Sequence, residues 1–172
     1  MGAPATGLLR RLAALVYDGL LLLAVLFLGT LALLPLTGGE AITPTAQGLG
    51  VYLAYRGYLA LLALGYFGLS WTRSGQTLGM KAWKIRLETA SGGAIGWGVA
   101  GLRFALGLAL VVSAETGFRL VFAADLPARL LVAGALLLPL LVNFAWIPFE
   151  ARGRSLQDLA CRTRILWIGK RA

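Results

Sequence analysis

The stretch LVYDGLLLLAVLFLGTLALLPL, residues 15–36, decides the fold class because it holds a single charged residue, Asp18, in 22 positions. A helix needs about 20 mostly apolar residues to cross the hydrocarbon core of a bilayer. Arg10 and Arg11 precede the stretch like the basic start of a signal peptide, but the apolar run is long and no small-x-small cleavage site stands out. We therefore expect this stretch to be retained as a membrane-spanning helix.

The composition of the whole chain is typical of a membrane protein. Of its 172 residues, 59% are hydrophobic and 13% are charged, whereas soluble domains carry roughly 25% charged residues. Three further apolar blocks of suitable length cover residues 49–71, 99–114 and 130–149. The sequence therefore predicts an all-α transmembrane protein, a four-helix bundle that forms one domain over residues 1–172.

The basic residues predict the orientation of these spans. Cytoplasmic connections of membrane proteins carry an excess of Lys and Arg. Here most of the 16 basic residues fall before the first span, between the second and third spans, or after the fourth. The loop at 37–48 has Glu40 and no basic residue, and the loop after the third span holds only Arg119 and Arg129. We expect both termini to lie in the cytoplasm.

A small cytoplasmic β-hairpin is predicted between the second and third spans. Apolar and charged side chains alternate there before a turn, in the order Trp83, Lys84, Ile85, Arg86, Leu87, Glu88 and then Ser91-Gly92-Gly93. Residues 165–168 in the basic tail form a second candidate strand. The two strands could pair beneath the bundle.

Several classes of function are disfavoured by what the sequence lacks. The chain has no histidine and one cysteine, Cys161, so a His- or Cys-based metal site has no ligand set. No nucleophile and base lie at a recognisable spacing, so we expect neither an enzyme nor a cofactor. The net charge of +9 is divided by apolar spans rather than gathered on one soluble surface, so we do not expect nucleic acid as a partner.

Ionisable side chains in or beside the spans are the candidates for function, because a charge in a bilayer is costly. Asp18 lies in the first span, and Arg103 enters the third span from the same predicted side. We expect Arg11, Asp18, Arg103 and Asp158 to form a polar cluster near the cytoplasmic face, with arginines holding Asp18. Such a cluster either fastens helix ends and tail through ion pairs or carries a monovalent cation or proton on Asp18.

Two residues are secondary candidates. Arg56 lies inside the second span, with Tyr52 and Tyr55 in the preceding turn. It either extends outward beside those rings or contacts an anion or narrows a path. Gln76 lies in the stretch Ser-Gly-Gln-Thr-Leu-Gly at 74–79, where the glycines are expected to let the chain turn at the bilayer surface.

Three stretches together carry a family resemblance: RRLAALVYD at 10–18, SGQTLG at 74–79 and SLQDL at 155–159. Their order and spacing resemble the RDD family of prokaryotic membrane proteins, named for one arginine and two aspartates. By motif these residues are Arg11, Asp18 and Asp158. The resemblance implies a prokaryotic inner-membrane protein, usually described with about three spans, and suspected of transport. Gln157 stands where many relatives have a histidine, so a proton-coupled mechanism would have to use carboxylates.

Two functions follow as expectations. The first is transport of cations, including Na⁺/H⁺ exchange, since some RDD members are similar to sodium/proton antiporters. Four short helices can hardly enclose a gated path, so transport predicts a homo-oligomer. The alternative is a non-catalytic membrane scaffold or assembly protein whose charges are satisfied within one chain. Its basic surface would bind partners or anionic lipids, at about 1 kcal/mol per basic residue.

Overall fold

Four long helices make up most of the protein in the computed structural model, which describes residues 6–122, 127–150 and 152–169. Each predicted span overlaps one of them, and they are α1 (Leu8–Leu33), α3 (Leu49–Ser74), α5 (Trp97–Phe122) and α6 (Pro127–Ala145). Arg119, expected in a loop, lies in the last turn of α5 because that helix continues beyond the predicted span. Lys170 and Arg171 of the predicted basic tail lie outside the described residues.

Short elements connect the first two long helices. A 3₁₀ turn (Leu34–Thr37) ends at Gly38, and α2 (Pro44–Gln47) precedes α3. At the other end of α3, Gly75 adopts φ +69° and donates its N–H to the carbonyl of Trp71 at 3.0 Å. This left-handed conformation favours glycine. A Cβ there would lie 2.7 Å from the carbonyl oxygen of Leu87, so the glycine also allows β1 to approach α3.

The outer surfaces of the long helices are strongly apolar. In the part of the chain that the structure describes, Leu8–Thr37 and Trp97–Val121 are long and apolar enough to cross a bilayer, whereas Leu131–Ala145 is apolar but shorter. On α1, Leu20, Leu23 and Phe27 are each about two-thirds exposed. Soluble proteins rarely leave such a continuous apolar surface uncovered. Of the long helices, α1 and α5 therefore have the length and the apolar surface that lipid contact requires.

Two short helix–strand units lie beside the start of α1 and the end of α3, and this end of the bundle is called the sheet end here. The units are α4 (Leu78–Ala82) with β1 (Ile85–Thr89), and α7 (Leu156–Ala160) with β2 (Thr163–Trp167). A hydroxyl caps each helix, Thr77 on α4 and Ser155 on α7. Each helix leads into its strand through a residue with positive φ, Lys84 at 53° and Arg162 at 51°. The two units therefore share one local plan.

The strands pair antiparallel, with Leu87 opposite Ile165. Ile85 and Leu87 are 1% exposed and form the core of the sheet end with Met80 and neighbouring apolar residues. The predicted pairing of the two segments is thus found, but the hairpin is not: β1 pairs with the tail. After the turn at Thr89, only a few residues separate β1 from α5, which leaves no length for a return strand.

Candidate functional site

Asp158 is fully buried between two arginines at the sheet end. Its Oδ2 lies 2.5 Å from Nη1 of Arg11, and its Oδ1 lies 2.7 Å from Nη1 of Arg103. Oδ2 also accepts the backbone N–H of Ser155 at 3.1 Å, as part of a capping box at the start of α7. One carboxylate therefore joins α1, α5 and α7.

The two arginines reach further than the carboxylate. Arg11 donates from Nη2 to the carbonyl of Gly153 at 2.6 Å and from Nε to the carbonyl of Thr6 at 3.3 Å. Arg103 donates to the hydroxyl of Thr163 in β2 at 2.8 Å, and its guanidinium lies 5.8 Å from the ring centre of Trp71. Both side chains are buried. The tail is thus fastened to the long helices by charged groups that are shielded from solvent.

The charge of Asp158 depends on its neighbours. Burial raises its pKa, but the positive charges of Arg103 and Arg11, together with hydrogen bonds from Arg11 and the Ser155 N–H, outweigh burial and hold the pKa below its ordinary value. The group is therefore a carboxylate at neutral pH. A buried carboxylate between two guanidinium groups is the arrangement expected of a structural ion pair.

Asp18 occupies a separate place. Its Oδ1 accepts the Tyr66 hydroxyl at 2.7 Å and the Gly79 N–H at 2.8 Å, and its Oδ2 accepts the Thr77 hydroxyl. Across residues 6–122, 127–150 and 152–169, no arginine forms an ion pair with Asp18. The expectation that arginines hold this carboxylate is corrected. Because α4 packs closely on α1, uncharged hydrogen-bond donors contact both oxygens of Asp18 instead.

The stretch at 74–79 builds this contact. A Cβ at Gly79 would overlap the carbonyl oxygen of Ala14 and lie 2.8 Å from Cγ of Asp18, so α4 reaches α1 only with glycine there. Gln76, a secondary candidate from the sequence, donates from Nε2 to the carbonyl of Ile85 at 2.7 Å. Gln76 therefore positions β1 rather than facing the cavity described below.

Hydrogen bonds that involve side-chain amides fix the second short unit, α7–β2, against the long helices. Gln157 donates its backbone N–H to Oδ1 of Asn143 at 2.9 Å and its Nε2 to the carbonyl of Arg103 at 2.6 Å. Asn143 is buried and was missed in the sequence. It is the one strongly polar residue in the predicted span 130–149, which was the available signal. Tyr66 was missed because its hydroxyl does not interrupt the apolar pattern of the second span, and Thr77 was missed because it lies in a stretch that predicts only a turn.

A cavity of about 440 Å³ borders these contacts and lies between α1, α3 and α5, with α6 at one edge. Arg103 and Glu115 line it 12 residues apart on α5, an axial distance of about 18 Å. Polar groups lie at its two ends, and the wall between them is apolar. The apolar wall includes Leu22, Leu26, Leu59, Ala60, Ala63, Phe104, Leu108 and Val111.

The end of the cavity farther from the sheet holds an ion pair. Nη2 of Arg56 lies 3.2 Å from Oε2 of Glu115, whose Oε1 lies 2.6 Å from Nη2 of Arg119. The Arg56 guanidinium is 5.9 Å from the ring centre of Tyr52, which fits the expected contact, whereas Tyr55 bonds Thr30 at 2.9 Å. Of the predicted residues, Arg11, Arg103 and Asp158 are thus brought together, while Arg56 stands apart with Glu115.

We expect Asp158→Asn to lower the free energy of unfolding by about 3–5 kcal/mol, because it strands two buried guanidinium groups. Since the folded pKa of Asp158 is lowered, its contribution is complete above its unfolded pKa of about 3.9 and is lost as pH falls through the lower folded value. Thermal unfolding in mild detergent between pH 7 and pH 3 measures both effects.

Glu88→Gln is the matched control, because the Glu88–Arg164 pair is partly exposed, with atoms 3.4 Å apart. Its removal should cost less than about 1 kcal/mol. Unfolding curves of Asp158→Asn and the wild type that superimpose across this pH range would contradict the structural role assigned to Asp158.

The chain matches a known protein family over most of its length. No curated protein and no solved structure matches the chain. Residues 5–162 match the RDD family, which covers nearly the whole sequence and includes Arg11, Asp18 and Asp158. The chain therefore belongs to the RDD family.

Proposed function

We propose that this protein is a non-catalytic, four-span membrane protein that holds a lipid-like amphiphile in the cavity between α1, α3 and α5. The observation that carries the proposal is the cavity itself. Ligand pockets typically measure about 300–1,000 Å³ and are mostly apolar, with a few polar groups that orient the ligand. This cavity, at about 440 Å³, has that size and that distribution of polarity.

Four spans are supported by the contacts at the sheet end. β1 pairs with β2, so both strands must lie on one side of the membrane. If α5 crosses the bilayer, α6 must cross back for β2 to reach β1. Likewise, Arg11 at the start of α1 contacts Asp158 beside β2. If α1 crosses, α3 must therefore return the chain to the same side.

The sheet end is the proposed cytoplasmic side. Exposed basic residues cluster there, including Lys81, Arg86 and Arg162, and such residues concentrate on cytoplasmic connections. The loop over residues 38–48 has no Lys or Arg and is proposed to face outward. Family membership supports a prokaryotic inner membrane as the location.

The headgroup of the proposed amphiphile is polar and has no net charge. At the sheet end of the cavity, the charges of Arg11 and Arg103 are balanced by those of Asp158 and Asp18. Amides of Asn143 and Gln157 also line this end. A zwitterionic or uncharged head bound there would avoid burying an unbalanced charge. Charges satisfied within one chain also fit the non-transporting alternative raised by the sequence.

Cysteine accessibility tests the topology. In a Cys161→Ala background, we expect Thr45→Cys to react with an impermeant maleimide from outside intact cells, and Ser91→Cys to react only after lysis. Both positions are exposed. A protein with only α1 and α5 spanning would place residues 45 and 91 on the same side. Equal reactivity at both positions would therefore exclude four spans.

Filling the cavity tests ligand binding. In nanodiscs containing a diazirine-bearing phosphatidylcholine, we expect photolabelling at Ala63 and Phe104, because bulk lipid reaches Ala63 poorly at 8% exposure. Ala60→Phe should reduce this labelling severalfold by occupying the cavity. Ala54→Phe, the same change at an exposed position of α3 outside the cavity, should leave it unchanged. Equal labelling in both variants would contradict the proposal.

Cation transport is a second candidate, favoured by the carboxylates at both ends of the cavity, Asp18 and Glu115. It predicts sodium- or potassium-driven proton flux in liposomes containing the purified protein. The flux should disappear in Asp18→Asn and persist in Glu88→Gln, which lies outside the cavity. No flux above the Asp18→Asn background would remove the antiporter function.

A further inference from the structure

A second pocket, of about 280 Å³, lies at the sheet end between the last turn of α3, β1 and the turn that follows β1. It shares Trp71 and Leu87 with the cavity but opens beside different groups. Gly75, Gly92 and Gly93 form part of its wall, so no side chains fill the space there. The pocket is therefore open to a small polar group.

Two arginines line this pocket without partners. Arg73 and Arg86 are exposed, and within the described ranges neither guanidinium forms a hydrogen bond or an ion pair. Arg11 and Arg103, by contrast, each form an ion pair with Asp158. The positive charges of Arg73 and Arg86 therefore lie beside the same pocket without an ion-pair partner among the described residues.

A third guanidinium approaches from β2. Nη2 of Arg164 lies 3.0 Å from the position that a Cβ on Gly92 would take, and 3.4 Å from Oε2 of Glu88. Its Nε is buried and lacks a partner. Arg73, Arg86 and Glu88 therefore line the pocket, and the guanidinium of Arg164, which is paired with Glu88, lies beside it. The C-terminal dipole of α3 weakens this positive field, although one carbonyl of its last turn, that of Trp71, accepts the Gly75 N–H.

The pocket lies at the depth of lipid headgroups in the proposed topology. Trp71 forms part of its wall, and the ring of Trp97 packs against Gly68 one turn away. Indoles concentrate at the membrane–water interface. Arg73 belongs to the last turn of α3, just beyond the apolar part of that helix.

We propose that this pocket binds a phosphate group through Arg73 and Arg86, supplied by an anionic lipid headgroup or by free phosphate. Guanidinium groups match phosphate oxygens with paired hydrogen bonds. The site is separate from the ligand of the bundle cavity, whose head is proposed to carry no net charge. Arg164 adds attraction at the Gly92 edge.

The test measures binding of two probes to the full-length protein in uncharged detergent by isothermal titration calorimetry. One probe is inorganic phosphate, and the other is dihexanoyl phosphatidic acid. We expect Arg73→Gln/Arg86→Gln to weaken binding of the bound probe about 30-fold, at roughly 1 kcal/mol per basic residue. Arg73→Lys/Arg86→Lys should lose less affinity than the glutamine variant, because it keeps the charge but loses the paired hydrogen bonds.

The matched control removes the same charge elsewhere at the sheet end. Lys81 and Arg152 are exposed and do not line the pocket, so Lys81→Gln/Arg152→Gln should bind like the wild type. Binding of phosphatidic acid alone identifies a lipid headgroup, and equal binding of phosphate identifies the free anion. The proposal is overturned if neither probe binds, or if the control variant loses as much affinity as Arg73→Gln/Arg86→Gln. A negative photolabelling result would not change the expected phosphate binding, since Ala60 and Ala63 do not line this pocket.

Discussion

Asp158 supplies the counter-charge of two buried guanidinium groups, and the sheet end depends on this pairing. Arg11 brings the start of α1 to the carboxylate, and Arg103 brings α5. Because Asp158 also accepts the Ser155 N–H in the capping box of α7, it fixes the helix that leads into β2, which pairs with β1. A single charged group thereby determines where the tail joins the long helices, which in turn sets the floor of the cavity.

Asp18 and Asp158 have different surroundings. Asp158 is paired with cations, whereas Asp18 accepts hydrogen bonds from a backbone N–H and two hydroxyls. Both nevertheless hold the first turn of a short helix, α7 for Asp158 and α4 for Asp18. Their shared effect is to fix each short helix against the bundle. Only Asp18 also lines the cavity, so of the two aspartates it alone combines a structural contact with access to that space.

Much of the helical framework was predictable, because runs of apolar residues reveal helices of spanning length. The cluster of Arg11, Arg103 and Asp158 was predictable too, since buried charges seek opposite charges. The partners of Asp18 were not, because they depend on how closely the Gly79 backbone approaches α1. Glu115 was missed as the partner of Arg56 because it lies one residue beyond the predicted third span. The predicted hairpin was wrong, because the alternation of apolar and charged side chains predicts a strand but does not identify the strand that pairs with it.

The shared plan of the α4–β1 and α7–β2 units extends to the helices before them. The order is long helix, long helix, short helix and strand, and it occurs twice along the chain. An antiparallel strand pair has a local twofold axis, which here passes near Leu87 and Ile165. Each half contributes one strand with an apolar face and an edge that only the other half completes. If the chain were cut between β1 and α5, it would give two pieces, and the strand of each piece would have an open hydrogen-bonding edge.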